Sequence, residues 1–174
     1  ITPLYISILF SISVFVPAEG IIEMEIENNI EIYRGVIEND AFEVCKEVKR
    51  IVERLQAASD IDKEQCFDVK VILSELLQNA IKHGNECDKD KKICLEVRLG
   101  DSGNILEITI RDQGCGFDPI STMNLAYSKI SELDPDNMDE SGRGLFIVQN
   151  LCDCMEFNST GNAIKVIKRL YCTT

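Results

Sequence analysis

The chain predicts an α+β fold, a two-layer sandwich in which a mixed, mostly antiparallel sheet is covered on one face by helices. Two segments, residues 42 to 55 and 67 to 81, repeat apolar residues at intervals of three and four, the period of a half-buried helix. Residues 31 to 37, 93 to 99 and 105 to 112 alternate apolar and polar side chains in the strand period. Short turn-forming runs, Asp101-Ser102-Gly103-Asn104 and Thr160-Gly161-Asn162, join neighbouring strand segments as hairpins. Helices that segregate to one face of a hairpin-built sheet are the layer solution for such an order.

The elements follow in turn. EIYRGVI at 31 to 37 reads as the first strand, and Asn39-Asp40 opens a helix whose apolar set is Phe42, Val44, Cys45, Val48, Ile51, Val52 and Leu55. Asp60 or Asp62 starts the second helix. It runs to about His83, with Phe67, Val69, Ile72, Leu73, Leu76, Leu77, Ala80 and Ile81 apolar and Gly84-Asn85 as the stop. ICLEVRL and ILEITIRD form a hairpin. Residues 118 to 141 mix Pro119, Pro135, Ser, Asp and Asn, and read as a long connection of the kind that forms a lid beside a site. LFIVQNLC after Gly144 is helical, and CMEFNS and NAIKVIKRL close the chain as a second hairpin.

With 174 residues and a net charge of -12, the chain suits one domain and is poorly matched to a phosphate backbone as its main ligand, because nucleic-acid affinity comes from clustered Lys and Arg. An acidic chain that binds an anion must supply local positive potential, from a metal ion, a helix N-terminus or a placed Arg. Eight cysteines are spread through core elements without paired C-x-x-C knuckles, so reduced, cytosolic thiols are expected; Cys152-x-Cys154 is the one close pair. The apolar run at 4 to 16 is too short for a membrane span, which needs ~20 residues. Residues 1 to 23 are expected to be a leader outside the native domain, which then occupies 24 to 174 and starts near Met24.

Three motifs stand in order: SELLQNAIKHG at 74 to 84, DQGCGF at 112 to 117 and SGRGLF at 141 to 146. On the second helix Glu75, Asn79 and His83 lie four apart beside the buried stripe, which makes them a pocket wall or, taken alone, a solvent-facing polar stripe. The Asn79 amide oxygen is a hard neutral ligand suited to Mg²⁺, and Glu75 one turn away can deprotonate a nucleophile near a phosphate. Asp112 follows a strand and can accept a hydrogen bond from an exocyclic amine such as that of adenine, while Gly114 and Gly116 let backbone approach a ring system. Gly142 and Gly144 precede a helix, so free N–H groups, the helix dipole and Arg143 together supply the positive potential that the composition demands. The connection between the second and third motifs adds Lys129 against six carboxylates and is a poor phosphate clamp.

E-x-x-x-N on a helix followed by His-Gly, then D-x-G-x-G, then G-R-G-L, resembles the GHKL superfamily of histidine-kinase-like ATPases, over most of residues 30 to 171. NAIKHGN, DQGCGFDP and SGRGLFIV are most similar to the short stand-alone branch of anti-sigma-factor serine/threonine-protein kinases. The resemblance implies a Bergerat-type sandwich that binds ATP and Mg²⁺, with Asn79 on the metal, Glu75 as catalytic base and Asp112 on adenine. It places Gly114, Gly116, Gly142, Arg143 and Gly144 around the nucleotide. His83 and Asn162 join this set of nucleotide-contacting candidates, Asn162 standing where the family commonly has Thr after Gly161. Asn85 stands where the anti-sigma branch usually has an aromatic residue.

With one histidine, inside the first motif, a phosphoacceptor histidine of its own is not expected in this chain. What the resemblance implies is a cytoplasmic kinase that phosphorylates a STAS-domain anti-anti-sigma partner and sequesters a sigma factor. A homodimer is the family's expectation for its assembly. The alternative is a non-catalytic partner-switching module that uses ATP only to order its lid.

Overall fold

The computed structural model describes residues 29–100, 103–118 and 140–171. The expected leader at 1 to 23, residues 119 to 139 of the connection expected at 118 to 141, and the first half of the Asp101–Asn104 turn lie outside the described residues.

Strand β1 (Ile30–Glu38) leads into α1 (Ala41–Ala58), then α2 (Lys63–Asn79), which continues as one π-helical turn, Ala80–Gly84. β2 (Lys92–Gly100), β3 (Ile105–Arg111), α3 (Glu140–Leu151), β4 (Cys154–Phe157) and β5 (Ala163–Arg169) complete the described elements. The helix starts follow from capping. Asp40 accepts the N–H groups of Phe42 and Glu43, and Asp62 that of Gln65, satisfying donors that the first turn leaves without partners. Of the two starts open to α2, Asp62 is therefore the one used.

The five strands order as β1-β2-β3-β5-β4, and every pairing is antiparallel, so the described sheet is fully antiparallel rather than mixed. Alternate residues divide its faces. Ile93, Leu95, Val97, Leu106, Ile108, Ile110 and Val166 are buried in one core with Val44, Val48, Ile51 and Leu55 of α1, Ile72, Leu73 and Leu77 of α2 and Val148 of α3. The opposite face carries an ion ladder across the strands, from Glu31 and Arg34 through Glu96, Arg98 and Glu107 to Lys165. Its innermost pair, Lys165 and Glu107 at 2.7 Å, is buried.

The apolar stripes are narrower than the sequence pattern predicts. Phe42 and Phe67 are exposed, at 74% and 65%, because Val44-Val48-Ile51-Leu55 and Cys66-Val69-Leu73-Leu77 already fill the faces turned to the sheet. On that side Lys168 reaches Asp68 of α2 at 3.0 Å and the carbonyl of Leu151 at 2.8 Å, placing a cation at the C-terminus of α3. Because β5 lies between β3 and β4, the loop after β3 and the tip of the β4–β5 hairpin emerge together, where Arg111 pairs with Ala163. The end of α2 meets them there.

Candidate functional site

Three pieces of chain build the site. Glu75 and Asn79 stand one turn apart on α2 and are half-buried, with Leu76 and Ala80 anchoring the same stretch in the core. Beyond Asn79 the helix widens, and the Asn85 N–H bonds back to the Ala80 carbonyl at 2.7 Å, a span of five residues. This π turn carries His83 and Gly84 to the mouth of the cleft.

The second piece continues the sheet. The Asp112 N–H donates to the Asn162 carbonyl at 3.0 Å and the Phe117 N–H to the Thr160 carbonyl at 3.1 Å, so the glycine loop is strapped to the β4–β5 tip at both ends. Phe117 packs edge-on against Phe157, ring centres 5.3 Å apart. Glycines make the strap possible. Gly116 at φ +77° and Gly161 at φ +72° sit where a Cβ would run into the carbonyls of Thr160 and Phe117 respectively. A Cβ on Gly114 would meet the Gly84 carbonyl, and one on Gly84 would meet the Asp112 carboxylate. Gly114 and Gly116 thus serve close approach between backbones, where the sequence suggested approach to a ring system. That difference arises because the loop packs on the helix end and the hairpin tip.

The third piece is α3. It begins at Glu140, so SGRGLF lies within its first turns rather than ahead of them, with Gly142 among the first-turn residues whose N–H groups have no carbonyl one turn back. Gly144 is buried against α2; a Cβ there would stand 2.6 Å from Glu75 Oε2 and 3.6 Å from Asn79 Nδ2.

Between these pieces lie two adjoining cavities. The first, about 260 Å³, is mainly apolar, walled by Leu76, Ala80, Ile110, Leu145, Phe157 and Ile164, with Asp112, Asn79 and His83 as its polar groups and Gly84, Gly116 and Gly161 in its lining. The second, about 230 Å³, is polar and holds Glu75, Gln78, Lys82, Arg143 and Gly144. Asn79 and His83 line both. The arrangement suits a flat, partly apolar ligand with an anionic tail, the first cavity being apolar and the second polar.

Asp112 is the polar fixture of the apolar cavity. Its carboxyl titrates above the usual carboxylate range because burial removes water from the charged form, against the opposing pull of the Gly114 N–H, its own N–H and Lys91. The Gly114 N–H holds one carboxylate oxygen at 2.8 Å. Asn79 Nδ2 is buried and has no hydrogen-bond partner among the described residues. An orphaned amide on a shared cavity wall is the kind of group a ligand satisfies.

A family model, the histidine kinase-like ATPase domain, matches residues 40–168, the stretch that contains all three motifs. The chain belongs to this family. Relatives similar to it include the anti-sigma F factor of Shouchella clausii, 30% identical over 144 residues, or 81% of this chain and 91% of the relative. The anti-sigma F factor of Bacillus velezensis is 31% identical over 117 residues, covering 66% of this chain and 76% of the relative. That of Priestia megaterium is 32% identical over 101 residues, covering 58% and 65%. GHKL-type membership and the α+β sandwich are therefore as the motifs led one to expect.

Of the residues singled out from sequence, the structure gathers Glu75, Asn79, His83, Asp112, Gly116, Arg143 and Gly144 onto the two cavities. Gly114 supports Asp112 from behind. Asn162 stands off the cavity lining: its side-chain oxygen accepts from Asn158 and Thr160 within the hairpin tip, and its carbonyl anchors Asp112. The sequence did not mark Gln78 and Lys82 as site residues, although both follow from the helical neighbourhood of Glu75 and Asn79. From sequence, Gly84 and Gly161 read within the motif and hairpin patterns, as a helix stop and a turn, and not as site residues. Cys115 is exposed on the loop, and Cys152 and Cys154 are free thiols, Cys152 pushed up to about 11 chiefly by burial. No helix among the described residues is long and apolar enough to cross a membrane.

Proposed function

We propose that the protein is a Mg·ATP-dependent serine/threonine-protein kinase of anti-sigma-factor type. It phosphorylates a STAS-domain anti-anti-sigma partner in the cytoplasm and also binds a sigma factor, within the domain that begins near residue 24. One observation carries the nucleotide assignment: an apolar cavity holding Asp112 adjoins a polar one holding Glu75 and Arg143, with Asn79 on their common wall. Family membership and the anti-sigma F factors among its relatives support the choice of partner class.

The residues fit the cofactor chemically. The apolar walls suit adenine, and the Asp112 carboxylate accepts from its exocyclic amine. Asn79 offers a neutral oxygen that would help to hold Mg²⁺, and the ion would supply charge neutralisation at the phosphates. Arg143 and the N–H groups at the start of α3 stabilise negative charge that grows on the phosphoryl oxygens. Glu75 takes the proton of an incoming Ser or Thr hydroxyl as its oxygen bonds to the γ-phosphorus and the bond to the ADP oxygen breaks.

The decisive experiment incubates purified protein with γ-labelled ATP, Mg²⁺ and a STAS-domain partner from the native host. Label on a Ser or Thr of the partner is the expected result. Nucleotide binding without transfer would instead make the protein a non-catalytic partner-switching module.

A further inference from the structure

Beside the nucleotide cleft lies a polar hub centred on two buried asparagines, Asn85 and Asn39, that stand outside the three motifs. Asn85 is 0% exposed and the neighbouring Asn39 6%. The Asn85 amide nitrogen donates to Asn39 Oδ1 at 3.2 Å and to the Lys92 carbonyl at 3.1 Å, and its oxygen accepts the Gln113 N–H at 2.9 Å. Asn39 Nδ2 in turn donates to the Asp88 carbonyl at 2.8 Å. The Gln113 side chain closes the ring by accepting the Lys92 N–H at 2.7 Å.

The chain is bent to put Asn85 there. The π turn sets its N–H on Ala80, and Glu86 and Cys87 follow at φ 54° and 59°, left-handed values that non-glycine residues seldom adopt. Two strained residues in succession, next to a side chain with both N–H donors satisfied, indicate that the amide's position is what the local fold maintains.

That position matters for the ligand. Asn85 lies six residues after Asn79 on the same helical run and grips the backbone one residue after Asp112. It thereby ties the wall that carries Asn79 to the loop that carries the carboxylate. We infer that Asn85, steadied by Asn39, is a positioning residue that holds Asp112 in register with Asn79 and so sets the preference of the site for adenine. This rests on the nucleotide assignment above.

The test compares Mg·ATP with Mg·GTP binding by calorimetry for wild type, Asn85→Ala and Asn39→Ala, at a temperature where circular dichroism shows each folded. Guanine presents a carbonyl where adenine presents its amine, so GTP gains little from a well-placed Asp112. The expected result is a preference for ATP over GTP that shrinks about tenfold in Asn85→Ala and less in Asn39→Ala, with GTP affinity nearly constant. If Asn85→Ala does not fold, the smaller change in Asn39→Ala decides. Equal losses for both nucleotides, or no loss, overturn the positioning role while leaving the nucleotide site intact. Wild type that binds neither nucleotide overturns both.

Discussion

In the proposed function Asp112 joins stability to recognition. Burial raises its folded pKa above the unfolded value, so the folded protein keeps this proton to higher pH than the unfolded chain does. Its ionisation therefore subtracts stability as pH rises through the unfolded and then the folded pKa, and the deficit is complete once pH exceeds both. Asp112→Asn removes that deficit while its oxygen still accepts the Gly114 N–H, but its NH₂ then faces the adenine amine. The variant should melt higher than wild type near pH 7, with the gap closing below the ordinary Asp range near ~4. Its ATP affinity should fall about 10- to 100-fold, as expected when a hydrogen bond to a charged group is lost; thermal melts at two pH values and calorimetry check both. On the neighbouring helix the roles divide. Glu75→Ala should retain ATP binding and lose roughly 10²- to 10⁴-fold in phosphotransfer to the partner, whereas Asn79→Ala should lose Mg·ATP binding itself. Full transfer by the first variant would remove Glu75 from the chemistry.

Among the elements, the strap between the glycine loop and the β4–β5 tip gives the site its shape. Gly116 combines a positive φ with a neighbouring carbonyl in the space a Cβ needs. Gly103, in the β2–β3 turn, has φ +97° and open space around it. Gly103→Ala should show backbone strain alone, about 1 kcal/mol, and leave nucleotide binding unchanged. Gly116→Ala must also push the hairpin tip away, so it should lose more stability, about 2–3 kcal/mol, together with ATP binding. Denaturant titrations of the two variants distinguish steric from purely conformational cost. Much of the element plan was legible: the strand alternation, the Asp caps and both hairpin turns follow from local chemistry. The π turn after Asn79 was not, because its distinguishing bonds depend on where Asn85 is buried.

At the scale of the whole molecule, a chain of net charge -12 concentrates Lys82 and Arg143 on the polar cavity, opposite the requirement of a polyanionic ligand. A ligand that binds only the folded form stabilises it by mass action, by about 2.7 kcal/mol at a hundredfold excess over Kd. For a domain of this size that corresponds to a rise in Tm of about 5–11 °C with Mg·ATP. Chelating Mg²⁺ should reverse most of the rise if Asn79 acts through the metal; scanning calorimetry with ATP, with and without chelator, provides the check. An undiminished shift in chelator would assign Asn79 to the phosphates directly.

By itself the sequence determined the layers of this protein, its family and the polar groups Glu75, Asn79, Asp112 and Arg143, because periodicity, capping and motif spacing are local properties. Tertiary structure decided what those groups share. That Asn79 stands between an apolar and a polar cavity depends on β5 entering the sheet beside β3 and on α3 packing against α2, contacts between residues far apart in the chain. The same holds for the glycines. Their number was visible in the sequence, but only the packed fold shows that Gly114, Gly116 and Gly161 stand where backbone meets backbone, and that Asn85 is buried.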